Sequence, residues 1–242
     1  MSCLQKFIAS FPEPVKKVLR PIKTRILRLK KSESELSFWK RRLIIDKGKF
    51  DNSHFKSIML AMAEESDDEF LKGRVVADFG CGPRGSLFWA SSALLRIGID
   101  VLADRYADEF TDNIIYHGML YVKSTEKVIP LPSDFIDIMF TLNAIDHVDY
   151  FTNMCDEIIR VVKPGGEFIG SFNLEEPASP CEPQQLNEEI IRHCLLDKLA
   201  VKSYRITRKG PKEDMYKPFF DGNLSYEKGQ EGVLWVKATK TC

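Results

Sequence analysis

Nowhere among the 242 residues is there an unbroken apolar run of roughly 18 residues, so no segment reads as a membrane-spanning helix. The opening MSCLQKFIASFPEPVKK has no continuous apolar stretch after its first basic residue and is interrupted by Pro12 and Pro14, so no secretion signal is expected and a cytoplasmic location is. The six cysteines (Cys3, Cys81, Cys155, Cys181, Cys194, Cys242) form no C-x-x-C pair and have no histidine at zinc-ligand spacing. They read as reduced thiols, and no metal site is expected. Internal repeats and low-complexity tracts are missing too, which excludes solenoid and fibrous architectures.

Net charge is also lacking, with 35 basic against 35 acidic residues, but the balance is uneven. Residues 1–31 hold nine Lys/Arg and only Glu13 in opposition, which makes this segment +8 and the remainder −8. From Pro14 to Lys31 the apolar Val15, Val18, Leu19, Ile22, Ile26 and Leu29 recur at steps of three and four, the spacing of one helical face. Pro21 is expected to divide this stretch into two short helices. Further helices are expected from Ser34 to about Asp46 and from His54 to Glu65. Residues 1–70 are thus expected to form a helical extension that either covers the site as a lid or, through its cations, touches an anionic membrane surface.

From Arg74 onward, short β-rich runs alternate with helical stretches, the pattern of a parallel sheet built from βαβ units. Strands are predicted at Arg74–Phe79, Ile97–Asp100, Met119–Lys123, Asp137–Leu142 and Glu167–Phe172, with two more at Ala200–Thr207 and Gly232–Thr239. Helices are predicted at Ser86–Leu95, Tyr150–Val162 and Leu186–Leu196. The first strand runs into Asp78-Phe79-Gly80-Cys81-Gly82-Pro83-Arg84-Gly85-Ser86. Glycine at 80 and 82 admits a ligand close to the backbone, where a Cβ would fill the ligand's volume. Asp100, ending the next strand 20 positions after Gly80, is placed to accept hydrogen bonds from ribose hydroxyls.

The G-x-G-x-x-G spacing alone also fits a dinucleotide, which keeps an NAD(P)-dependent oxidoreductase open as the alternative. Asp78 would repel a pyrophosphate but suits a cationic amino-acid ligand, and Pro83 removes an amide from any phosphate cradle. With the I-G-I-D strand, I-P-L-P-x-x-F-I-D-I-M-F and V-V-K-P-G-G following in order, residues 70–172 resemble class I S-adenosylmethionine-dependent methyltransferases. The resemblance implies an α/β, Rossmann-like, seven-stranded and mostly parallel sheet whose last strand is antiparallel, within residues 71–242. It implies S-adenosylmethionine as cofactor, held by Asp78, Gly80, Cys81, Gly82, Gly85, Asp100 and Asn143. Many relatives have Asp-Ala or Asp-Leu after the third strand, where this chain has Ser124-Thr125-Glu126, so Glu126 is the candidate for the adenine contact.

After the fourth strand, Asp146 and His147 are the catalytic candidates, since an imidazole with a pKa near ~6.5 can take a hydroxyl proton as a methyl group arrives. Glu175 and Glu176, directly after the fifth strand, are candidates for binding the acceptor. His117 is assigned a structural role, His54 and His193 are read as helical residues without evident partners, and Tyr204, Arg205, Arg208 and Lys209 as surface charge. The expected reaction is O-methylation of a small-molecule, sugar or lipid-like acceptor. A non-catalytic, methyl-donor-binding or membrane-associated accessory protein is the other alternative. The sequence has neither a recognisable RNA-binding module nor N/D-P-P-Y/F after the fourth strand, so a nucleic-acid acceptor is disfavoured.

Overall fold

A computed structural model describes residues 13–179, 181–211 and 214–241. The first twelve residues of the basic segment, with Cys3 and Cys242, lie outside them. The chain divides into two compact units, one ending at Gly48 and the other beginning at Lys49. Among its described residues the first contains one helix, α1 (Glu13–Ile45), where three were expected. Pro21 does not interrupt it: proline removes one amide donor, but its fixed φ is near the helical value. Among the described residues no helix is long and apolar enough to cross a membrane.

The second unit opens with α2 (Ser53–Ala63), closed by Glu64 in the left-handed region, and continues into a seven-stranded sheet. The strands are β1 (Val75–Phe79), β2 (Leu95–Asp100), β3 (Leu120–Lys123), β4 (Ile136–Leu142), β5 (Val162–Leu174), β6 (Leu199–Arg208) and β7 (Gly232–Lys240). Their order is β3-β2-β1-β4-β5-β7-β6, and β7 runs antiparallel to both its neighbours. This is the expected fold, with every strand within a few residues of its predicted place.

Both faces of the sheet are covered, so β1 is buried along its whole length. Val75, Ala77 and Phe79 pack into one apolar cluster with Ile97, Met139, Met154, Ile158 and Phe168, while Val76 joins the other with Met59, Leu71, Leu87, Phe140 and Trp235. Helices α3 (Ala103–Glu109), α4 (Thr111–His117), α5 (Phe151–Val161), α6 (Glu188–Cys194) and α7 (Lys217–Phe220) complete the unit. The strand order reverses between β1 and β4, so loops leaving the carboxyl ends of these strands diverge and leave a crevice between them.

The helix expected at Ser86–Leu95 is absent: the chain passes from Gly85 to β2 through successive turns. Arg96 explains the difference. Its guanidinium donates to the carbonyls of Leu87 (3.4 Å), Phe88 (3.1 Å) and Gly118 (3.0 Å), so the first two carbonyls are engaged from outside the segment. Phe88 stacks on Tyr116, and the Trp89 indole N–H reaches the Met59 sulfur. These side-chain anchors hold the irregular path.

Candidate active site

The glycine turn after β1 is shaped by close approaches on two sides. Gly80 has φ +74°, and a Cβ there would lie 2.1 Å from the Ala144 Cβ on the loop after β4. Gly85 has φ +75°, and a Cβ there would meet the His117 ring at 2.5 Å. The amide of Gly80 donates to the Ile99 carbonyl (2.8 Å), while Gly98 leaves room for the buried Cys81 side chain. His117 therefore packs against the glycine turn itself. Its Nδ1 lies 3.0 Å from the Tyr121 hydroxyl, and burial, with Lys49 nearby, pulls its pKa down to about 4.

Asp78, at the floor of this turn, is only 2% exposed. One carboxylate oxygen accepts from Ser86 Oγ and the other, Oδ1, has no hydrogen-bond partner. Burial, reinforced by Asp100, pushes its pKa up to about 7. A buried carboxylate oxygen without a partner is costly unless a ligand brings it a hydrogen-bond donor or a positive charge. Asp100 is more fully engaged than its expected ribose role requires. Its oxygens accept from the amides of Gly82 (3.1 Å) and Leu102 (2.9 Å), and the Tyr106 hydroxyl adds a third bond. Asp100 thus holds the glycine turn in place, and burial raises its pKa.

Asn143 stands at the carboxyl end of β4 with φ +45°. Its Nδ2 donates to the Tyr216 hydroxyl (3.0 Å). Tyr216 comes from the segment between β6 and β7, which the sequence presents only as a stretch rich in Gly, Lys and Asp. Burial lifts the Tyr216 pKa to about 12, and both Asp78 and Asp146 add to the effect. Glu126 is spoken for, because its Oε2 accepts the Asp149 amide at 2.8 Å and ties the loop after β3 to the loop after β4.

A short 3-10 turn, Ile145–His147, carries the catalytic candidates. Asp146 is buried and His147 half-buried, with His147 Nε2 3.9 Å from Asp146 Oδ1 and 3.6 Å from Glu182 Oε1. Burial and the nearby Glu182 push the Asp146 pKa up to about 7. Glu182, not singled out from sequence, is brought here by Gln184, whose side-chain amide donates to the carbonyls of Val148 (2.9 Å) and Asp149 (3.3 Å).

Glu176 accepts from the Asn173 amide (3.1 Å) and pairs with Lys209. Lys209 is therefore half-buried and paired, which corrects its reading as surface charge. Glu175, with φ +59°, donates its backbone amide to the Leu186 carbonyl and shapes the loop. His54 also has a neighbour, contrary to expectation: its Nε2 lies 3.5 Å from Arg84 of the glycine turn.

Comparison with known proteins agrees with this arrangement. Residues 77–170 match a family model described as a methyltransferase domain. A malonyl-[acyl-carrier protein] O-methyltransferase of Enterobacter lignolyticus is 29% identical over 92 residues, which is 38% of this chain and 36% of that protein. An uncharacterized methyltransferase of Mycobacteroides abscessus is 28% identical over 115 residues, 46% of this chain and 44% of its own length. The chain thus spans less than half the length of these curated relatives. An S-adenosylmethionine-dependent methyltransferase structure from Mesorhizobium loti superposes with a TM-score of 0.54 at 14% identity, covering 75% of this chain and 96% of that one. Residues 77–170 thus resemble a methyltransferase domain, and the sheet order agrees with the fold of the solved methyltransferase structures it superposes on.

Proposed function

We propose that the protein transfers a methyl group from S-adenosylmethionine to an oxygen of a small acceptor, with His147 as the general base. The observation that carries this reading is the unpartnered Oδ1 of the buried Asp78 at the floor of the glycine turn. The ammonium of an amino-acid ligand satisfies that oxygen. Asp78, Gly80, Cys81, Gly82 and Gly85 would hold the methionine portion, Asp100 the ribose side, and Asn143 the β4 side. When bound, S-adenosylmethionine supplies an electrophilic methyl carbon and leaves as a neutral thioether.

The protein's own share is then alignment and removal of one proton. Nε2 of His147 faces the carboxylates of Glu182 and Asp146 at 3.6 and 3.9 Å. The same carboxylates stabilise the imidazolium as it forms. The O-methyltransferase among the relatives supports oxygen as the receiving atom. An oxidoreductase reading is disfavoured because a pyrophosphate site draws on a helix N-terminus, whereas the residues after Gly85 form turns.

The exposed Ile26, Leu29, Phe38, Ile44 and Ile45 of α1, with the cations of residues 1–31, support peripheral membrane contact as a secondary trait. The functional test is incubation with methyl-labelled S-adenosylmethionine and an extract of the source organism. Label appearing in a small molecule as a methyl ether or ester is the expected result. Label only in protein or nucleic acid would overturn the acceptor class.

A further inference from the structure

Two buried side chains, Asp146 next to His147 in the chain and Asn173 on β5, each have one oxygen without a hydrogen-bond partner, Oδ1 in both (4% and 8% exposed). The Asn173 amide cannot be turned over to hide its oxygen. Its Nδ2 donates to Glu176 Oε2 at 3.1 Å, and a carboxylate only accepts. Lys209 joins the two positions, since its ammonium pairs with Glu176 while its charge also bears on Asp146.

With Asp146 ionised both vacant valences are acceptors, in a wall where Asp146, Glu176 and Glu182 stand against one lysine. A phosphate or carboxylate brings no hydrogen-bond donor and meets like charge there. A purely apolar occupant leaves two buried oxygens unsatisfied. An ammonium satisfies the same oxygens and is drawn by the net negative charge, so glucosamine is the arm of the titration that separates it from a neutral occupant. Hydroxyl groups satisfy both oxygens and add no charge.

We infer that the acceptor is an uncharged polyol of glycosyl type, which gives hydroxyl hydrogens to Asp146 and Asn173 while a neighbouring hydroxyl faces His147. This rests on the methyltransferase reading and names the substrate class of the same site. Asn173 and Asp146 are then specificity residues for the acceptor, separate from the glycine turn that holds the methyl donor.

The test is calorimetric titration of the full chain, first with S-adenosylhomocysteine and then, on the saturated protein, with methyl hexopyranosides of gluco, galacto and manno configuration. Glucuronate, glucose 6-phosphate and glucosamine are titrated alongside. At least one neutral hexoside is expected to bind at least about tenfold more tightly than the charged sugars. Asn173→Ala and Asp146→Ala are each expected to weaken that binding about tenfold, with S-adenosylhomocysteine affinity held within about threefold. Should these variants fail to fold, Glu182→Gln on the half-exposed rim tests the same electrostatics and should narrow the gap between hexoside and glucuronate severalfold. Failure of every neutral hexoside, equal or tighter binding of a charged sugar, or unchanged affinity in folded variants overturns the inference. Failure of S-adenosylhomocysteine to bind at all overturns the methyltransferase reading and the inference with it.

Discussion

The hydroxyl of Tyr216 accepts a hydrogen bond from the Asn143 amide at 3.0 Å, joining the long segment between β6 and β7 to the carboxyl end of β4. Tyr216→Phe leaves that amide with only the Met215 sulfur, a weak acceptor at 3.6 Å. Denaturant unfolding of Tyr216→Phe, Asn143→Ala and the double variant should yield a coupling energy of about 0.5–1.5 kcal/mol. Strict additivity would show that the contact contributes nothing to stability.

Gly80→Ala meets two obstacles, a positive φ and the Ala144 Cβ at 2.1 Å. The variant should lose about 2 kcal/mol or more of stability and most of its affinity for S-adenosylhomocysteine. Adding Ala144→Gly relieves the collision but not the φ strain, so it should recover part of the loss. Full recovery would mean that backbone conformation plays no part; no recovery would mean that the collision plays none.

Asp78 and Asp146 both have pKa values raised to about 7, chiefly by burial. Between about pH 4 and 7 the folded chain holds protons that these carboxyls release on unfolding, so their contribution to stability is lost as pH rises through that window. His117, pulled down to about 4 by burial, acts in the opposite sense, but it is one group against three, since burial raises Asp100 as well. The ligand-free protein should therefore melt at lower temperature at pH 7.5 than at pH 5, with a shallower slope in Asp78→Asn. Affinity for the methyl donor should rise with pH through 7 in the parent and stay flat in Asp78→Asn. A parent affinity independent of pH would remove Asp78 from the ammonium site.

For His147→Ala, turnover of label into the acceptor should fall by about 10²–10⁴-fold, with S-adenosylhomocysteine affinity nearly intact. A folded variant with parental turnover would end the assignment of His147 as base, and Glu175 and Glu176 would become the groups to test.

The sheet was legible because its parallel strands are buried on both faces and therefore appear as compact apolar runs such as Val75–Phe79 and Ile136–Leu142. The glycine turn was legible because close approach demands residues without a Cβ. The missing helix at Ser86–Leu95 was not, since it depends on Arg96 engaging carbonyls several residues earlier in the chain. Glu182 and Tyr216 were equally hidden: each lies in an irregular segment and reaches the site only through tertiary contacts, via Gln184 and Asn143 respectively. Lys209 looked like surface charge because its partner, Glu176, is 33 positions away in sequence.

The central claim, that the turn beneath Gly80 and Gly82 binds a sulfonium amino-acid nucleoside, is tested most directly by calorimetry of the full chain with S-adenosylmethionine, S-adenosylhomocysteine, NAD and NADP in parallel. The account predicts saturable one-to-one binding of the first two, weakened by about 1–3 kcal/mol in Asp78→Asn, and none of the dinucleotides. Binding of NAD or NADP without S-adenosylmethionine would contradict it.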